Sequence, residues 1–138
     1  MRAEQQEQTK YGFSRTVEIP FDEAIEKTRA ALKVEGFGVL SEIDIKEKLK
    51  EKLDVDFRRY TILGACNPLL AYKTLQEDLQ IGLLLPCNVI VYEDDDKNKS
   101  VISAVDAKAM LSVVGNNATL DQVASEVNER LQRVIGSI

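Results

Sequence analysis

The 138-residue sequence contains no histidine and only two cysteines, Cys66 and Cys87. Histidine is the commonest general base and the commonest metal ligand, so its absence removes the usual route to either chemistry. Two thiols are also too few for a four-ligand zinc site within one chain. The sequence therefore disfavours histidine-based catalysis and a self-contained structural zinc site.

Long apolar runs are missing as well. The longest spans residues 81–86, whereas a membrane-spanning helix needs about 20 apolar residues. Residues 1–10 are polar and lack the apolar segment of a signal peptide. We therefore expect a polar N-terminal tail over residues 1–10, a single domain over residues 11–138, a cytoplasmic location and no membrane partner. In that compartment both cysteines should be reduced.

Acidic residues outnumber basic ones, with 23 Asp and Glu against 18 Lys and Arg and a net charge of −5. Nucleic-acid binding depends on basic side chains that neutralise phosphates, so we expect no nucleic-acid partner. The 44% of hydrophobic residues and 30% of charged residues are typical of a soluble globular domain.

The apolar periodicity predicts the order of the elements. Five segments have strand patterns: YGFSRTVEIP, GVLSEID, FRRYTILGAC, CNVIVYE and SVISAVD. Helices are predicted between Pro20 and Gly36, after Asp44, from Asn67 to Glu77, after Asp106 and over the last 20 residues. Because strands and helices are not in regular alternation, we expect an α+β fold with a single antiparallel-rich sheet and helices packed on one face.

Local sequence signals also predict where helices begin. Asn67 is a favoured N-cap and Pro68 is favoured at the first helical position. Asp44 with Glu47, and Thr119 with Gln122, have the spacing of a capping box.

Both cysteines lie beside a proline at the end of a predicted element. Cys66 directly precedes the predicted N-cap, so the helix dipole is expected to lower its pKa. Cys87 opens a strand after Pro86, where no comparable field exists. We therefore expect Cys66 to be the more reactive thiol.

An inert role for the cysteines is equally consistent with the pattern, since free cysteine is among the most buried residue types. By strand alternation, Cys66 shares a side with Tyr60, Ile62 and Gly64, and that side would then face the core.

The segment GACNPLLAYKTLQEDLQIGLLLPCNVIVYE resembles the signature of an uncharacterised bacterial family known as domain of unknown function 302. The matching residues are Cys66, Pro68, Ala71, Leu75, Asp78, Gly82, Leu83, Leu84, Leu85, Pro86, Cys87, Val89 and Val91. The similarity extends over nearly the whole chain from Tyr11 onward. It implies a β-α-β(4)-α fold of the TATA-binding-protein-like type, to which this chain adds short helices. It also implies homodimers, and it implies no established activity.

Two functions remain open. The first is a homodimeric cytosolic module with a cleft for a small, partly apolar ligand, whose candidate residues are Cys66, Asn67, Pro68, Gly82, Leu84, Pro86 and Cys87. The second is a thiol-based site on Cys66 and Cys87 for a soft metal, a persulfide or redox chemistry, built within one chain or across a dimer. Met110 is a candidate for an additional thioether ligand.

Carboxylate chemistry is the weakest reading, because no motif arranges the candidates Asp78, Glu93 and Asp106. The acidic turn at residues 93–96 lacks the glycine and the spaced oxygens of an EF-hand loop. We expect this turn to be mobile and free of metal. The sequence names no cofactor and no catalytic residue.

Overall fold

A computed structural model describes residues 6–138. Its single sheet is antiparallel, with the strand order β1-β2-β6-β5-β4-β3. The strands are β1 (Glu7–Gln8), β2 (Gly12–Val17), β3 (Gly38–Asp44), β4 (Tyr60–Cys66), β5 (Cys87–Glu93) and β6 (Ser100–Val105). The α+β class and the antiparallel sheet are thereby confirmed.

The α-helices of the described chain are α1 (Phe21–Val34), α2 (Ile45–Leu53), α3 (Pro68–Glu77), α4 (Ala107–Leu111) and α5 (Ala118–Gly136). Two 3₁₀ segments, Leu79–Leu84 and Ser112–Val114, follow α3 and α4. If β1 and the short helices are set aside, the order is β-α-β(4)-α, as the family resemblance implied.

The folded part of the chain begins earlier than the sequence suggested. Residues 7 and 8 of the expected tail form β1, which pairs with β2 at the edge of the sheet. The Gln6 side chain donates a hydrogen bond to the carbonyl of Gln132 in α5 (2.8 Å). A two-residue polar strand has no apolar alternation, and the sequence pattern therefore missed it. Residues 1–5 of the expected tail lie outside the described residues.

The core lies between one face of the sheet and helices α1 and α5. On β2 the alternation places Phe13, Arg15 and Val17 in the buried layer. The apolar stripe of α5 packs over this face and includes Leu131 and Ile135, which have no exposed surface. Each fully buried side chain of this size contributes about 1.5–3 kcal/mol through the hydrophobic effect.

The side of β4 that faces the core is not the side that carries Cys66. The buried side chains are Thr61, Leu63 and Ala65, whereas Cys66 is half-buried. The register explains this choice, because Leu63 pairs with the fully buried Val89 of β5. The interpretation of Cys66 as a core residue of β4 is therefore wrong.

The helix starts agree with the sequence in two cases and differ in one. Asp44 accepts a hydrogen bond from the Glu47 N–H (2.9 Å), and Asn67 accepts one from the Leu70 N–H (3.2 Å). The long final helix begins at Ala118 and is capped by Asn117, whose Oδ1 accepts from the Leu120 N–H (3.0 Å). The capping box predicted at Thr119 is wrong, because a stronger N-cap residue lies two positions earlier.

Candidate functional site

A cavity of about 330 Å³ lies where the end of β4 and the start of β5 meet helices α3, α4 and α5. No charged side chain is found among the described residues that line it. Apart from the two thiols, its polar side chains are Asn67 and Thr74. The cavity is therefore an almost wholly apolar space inside an acidic protein.

Helix α3 supplies one wall because Asn67 starts it at the end of β4. Leu70 and Thr74 are buried, and the half-buried Ala71 and Leu75 follow them on the same helix face. The Thr74 hydroxyl donates to the Leu70 carbonyl (2.8 Å), so the helix itself uses this donor. The wall therefore presents mainly methyl and methylene groups to the cavity.

The mouth of the cavity is apolar too. Leu40 lines the cavity and is 70% exposed, which places it at the opening. Gly82 lines the cavity from the 3₁₀ segment 79–84, and its neighbours Leu79 and Leu83 are 81% and 83% exposed.

The two cysteines lie on adjacent strands at one end of this cavity, but strand alternation directs their side chains to opposite faces of the sheet. Ala65 of β4 pairs with Cys87 of β5, so Cys66 is one step out of register with Cys87. Strand spacing of about 4.8 Å and a rise of about 3.4 Å put the two Cα atoms roughly 6 Å apart. Both cysteines line the cavity and both are free thiols.

Burial, rather than the dipole of helix α3, controls the pKa values of the two thiols. Burial, reinforced by the neighbouring Cys66, raises the pKa of Cys87 to about 11. Burial also raises the pKa of the half-buried Cys66. The lowered pKa expected for Cys66 is therefore wrong. Pro68 has no N–H, and the Leu70 N–H is bonded to Asn67 Oδ1, so these helix-start positions offer the sulfur no donor.

Five of the seven predicted site residues line the cavity: Cys66, Asn67, Gly82, Pro86 and Cys87. Pro68, the first residue of α3, is exposed and does not line it. Leu84 is half-buried and packs against the hydrophobic core instead. Residues 79–84 form a 3₁₀ helix with three residues per turn, so successive leucines point in different directions. The apolar run in the sequence does not reveal these directions.

The sequence missed the walls built from α4 and α5, such as Leu111, Val123 and Val127. The apolar stripe of α5 was recognised from its spacing. That spacing does not distinguish residues facing packed atoms from residues facing open space. Met110, considered from sequence as a thioether, does line the cavity.

Two of the three carboxylates considered for catalysis, Asp106 and Asp78, have structural hydrogen-bond partners. Asp106 is buried and accepts from Asn128 Nδ2 (2.9 Å) and the Ala109 N–H (3.1 Å). Burial acts to raise the pKa of Asp106, but these hydrogen bonds outweigh it and the pKa is lowered. Asp78 accepts from the Gln80 N–H (2.9 Å) at the start of the 3₁₀ segment.

The acidic turn between β5 and β6 is closed by its own backbone. The Asp94 N–H donates to the Lys99 carbonyl (3.1 Å), and Asp95 pairs with Arg58 (2.9 Å). Within residues 6–138, no three His, Cys, Asp or Glu side chains form a group able to hold a metal ion. The helices of this described region are also too short or too polar to cross a membrane.

Comparison with known proteins gives a family. A search of curated proteins found no match. Among solved structures, the crystal structure of an uncharacterized conserved protein DUF302 from Bacillus stearothermophilus is similar, with 33% sequence identity and a TM-score of 0.80. The similarity covers 91% of this chain and 95% of that one. The model of the family described as "Domain of unknown function DUF302" matches residues 13–138. The chain therefore belongs to this family.

Proposed function

We propose that this protein binds a small, neutral and largely apolar molecule in the cavity at the ends of β4 and β5. The observation that carries the proposal is the cavity itself, about 330 Å³ in volume and lined without a charged side chain. Ligand pockets usually have volumes of about 300–1,000 Å³ and mainly apolar walls with few polar groups. The two free thiols suit a reducing compartment, and we propose a cytoplasmic location.

The cavity sets the size and charge of the ligand. A water molecule occupies about 30 Å³ in the liquid, so a cavity of about 330 Å³ has room for roughly eleven non-hydrogen atoms. No lining cation is available to pair with a carboxylate or phosphate, so burying an anion here would carry an uncompensated desolvation cost. A neutral molecule with one polar end near the mouth fits these limits.

A series of neutral primary alcohols from hexanol to tetradecanol tests the size limit. We expect affinity to rise about fourfold per methylene, the equivalent of about 0.8 kcal/mol, and to level off near ten carbons as the cavity fills. Decanoate should bind more weakly than decanol. Titrations followed by NMR chemical shifts of cavity residues provide the measurement. An affinity that keeps rising through tetradecanol, or no saturable binding at all, contradicts the proposal.

Two substitutions on the same helix provide a matched pair. Ala71 lines the cavity, whereas Gln76 is exposed on α3. Ala71→Phe should fill the space and abolish decanol binding, while Gln76→Phe adds the same ring outside and should leave binding unchanged. Equal effects of the two variants would show that the alcohol binds elsewhere.

We also propose that the protein is a homodimer formed through the sheet face opposite the core. This face carries the cross-strand pairs Ile62–Ile90 and Tyr60–Tyr92, and the two tyrosine rings stack at 5.3 Å. All four side chains are only half-buried in the single chain. A second copy would remove this apolar and aromatic area from water.

A charge introduced into this face tests the dimer. Ile90→Lys places a charge in the middle of the proposed interface, whereas Leu53→Lys changes an exposed apolar residue of α2. Light scattering at micromolar concentration should give a dimer mass for the native chain and for Leu53→Lys, and a monomer mass for Ile90→Lys. A native protein of monomer mass would refute the dimer.

A further inference from the structure

The polar groups of the cavity narrow the chemical class of the molecule that it binds. Apart from the two thiols, which are weak hydrogen-bond donors, the polar side chains of the described lining are Asn67 and Thr74. The Thr74 hydroxyl already donates to the Leu70 carbonyl (2.8 Å). Asn67, at the start of α3, is therefore the side chain that remains to donate a hydrogen bond to a ligand.

Helix capping determines which end of the Asn67 amide is free. Its Oδ1 accepts a hydrogen bond from the Leu70 N–H (3.2 Å), whereas Nδ2 donates to no group of residues 6–138. Nδ2 lies beside Gly36, 3.0 Å from the position that a Cβ atom would take there. The next residue, Phe37, lines the cavity. Since Nδ2 is not fully buried, another molecule can reach this donor.

The oxygen atoms of Asn67 are already in use. Its Oδ1 accepts from the Leu70 N–H, and its backbone carbonyl accepts from the Ala71 N–H (2.9 Å). A ligand group that only accepts a hydrogen bond is satisfied here by Nδ2. A hydroxyl or an N–H would bring a donor hydrogen, and burying that hydrogen without an acceptor costs free energy. This end of the cavity therefore favours an acceptor.

We propose that the cavity binds a neutral carbonyl compound, such as a ketone or an ester, whose oxygen accepts a hydrogen bond from Asn67 Nδ2. This inference rests on the proposed binding of an apolar molecule and names the class of that molecule. The carbon skeleton contacts the apolar walls that α3, α4 and α5 supply. Binding is non-covalent, so no bond is formed or broken.

A carboxylate fits this end less well, although a cation lies nearby. Arg130 Nη1 is 3.4 Å from the position of a Cβ atom on Gly36. The Arg130 guanidinium pairs with Glu126 (2.9 Å), and its Nη1 donates to the Glu35 carbonyl (2.7 Å). Because Glu126 offsets its charge and Arg130 does not line the cavity, an anionic head group would be buried without a counter-ion.

Two ligands of equal size test the role of the oxygen. Propiophenone carries a ketone, and sec-butylbenzene carries a methyl group in place of the ketone oxygen. Serine is also a favoured N-cap, so Asn67→Ser keeps the cap of α3 and removes the amide donor. In NMR titrations it should weaken propiophenone binding by about 2–10-fold, as expected for one hydrogen bond, and leave sec-butylbenzene binding unchanged. Asn67→Asp replaces the donor with an acceptor and should weaken propiophenone binding at least as much.

Controls separate this inference from the binding proposal on which it rests. Asn117→Ser makes the same change at the cap of α5, outside the cavity lining, and should leave the binding of both ligands unchanged. Thermal unfolding monitors the fold, and Asn67→Asp carries the test should Asn67→Ser unfold. Unchanged propiophenone affinity in a folded Asn67 variant, or an equal loss of both ligands, would overturn the carbonyl assignment alone. Binding of 3-phenylpropanoate as tight as that of propiophenone would overturn it too, because Arg130 would then hold the head group. Binding of neither neutral ligand by the native chain would overturn both proposals.

Discussion

Alkylation of the native protein with iodoacetamide compares the two thiols directly. Thiolate is the species that reacts, so the rate at a given pH follows the thiolate fraction and the access of the reagent. Cys87 is 8% exposed and Cys66 is half-buried at the cavity. Both factors therefore predict that Cys66 reacts before Cys87.

The pKa of Cys87 sets the size of the difference from an ordinary thiol. With its pKa raised from 9.0 to about 11, the thiolate fraction of Cys87 at pH 8 is about a hundredfold lower than that of an unperturbed cysteine. Limited access to the buried sulfur slows the reaction further. We therefore expect Cys87 to react at least about 100-fold more slowly than the same residue in the unfolded chain.

Mass spectrometry of digested samples, taken over time between pH 7 and 11, measures the two rates separately. Guanidinium-unfolded protein provides the reference for each thiol, and Cys66→Ser shows whether Cys87 reacts independently. Modification of Cys87 in native protein at the unfolded rate would refute the burial argument. Labelling of Cys66 well below pH 8 would show that the helix field, and not burial, controls that thiol.

Three further predictions concern stability. The folded-state pKa of Cys87 lies above its unfolded value. Its contribution to the free energy of unfolding is therefore complete below about pH 9 and is lost by about pH 11, a fall of about 2–3 kcal/mol. Urea unfolding across this window should show a smaller fall for Cys87→Ala, and parallel curves would exclude the effect. Asn117→Ala should cost about 1 kcal/mol because it removes the α5 cap, whereas Thr119→Ala should cost little; equal losses in denaturant unfolding would contradict the assignment. Asn128→Ala should cost about 1–3 kcal/mol, because the Ala107 N–H and the Asp106 carboxylate both lose their bond to this buried amide; an unchanged melting temperature would argue against that network.

The fold was largely predictable because its signals are local. Asn67 followed by Pro68 marks the start of α3 by side-chain chemistry alone. Gly36 marks the end of α1, and its positive φ of 85° is a conformation that glycine adopts without strain. Alternation along residues 11–20 correctly predicted β2, whose residues Phe13 and Val17 are buried on one side of it. Each of these features depends on a few neighbouring residues.

The cavity and the thiol environment were less predictable because they depend on distant residues. Val123 and Val127 look like ordinary core positions, and only the packing of α5 against α3 and α4 leaves open space beside them. The pKa of Cys66 follows from how deeply the neighbouring elements bury it. Its position before a helix predicted a lowered pKa instead, because the sequence reveals the helix but not how far the thiol is removed from water.

The pairing of β2 with β6 has a consequence for how the protein is made. Gly12 pairs with Val105, and Val17 pairs with Ser100. During synthesis, β2 therefore has no β6 partner until the ribosome has added residues 100–105. The long loop that this pairing closes makes folding slower than for a protein of mainly local contacts. Until then the edge of β2 that β6 covers has no partner for its backbone N–H and C=O groups, and such an edge can pair with another chain.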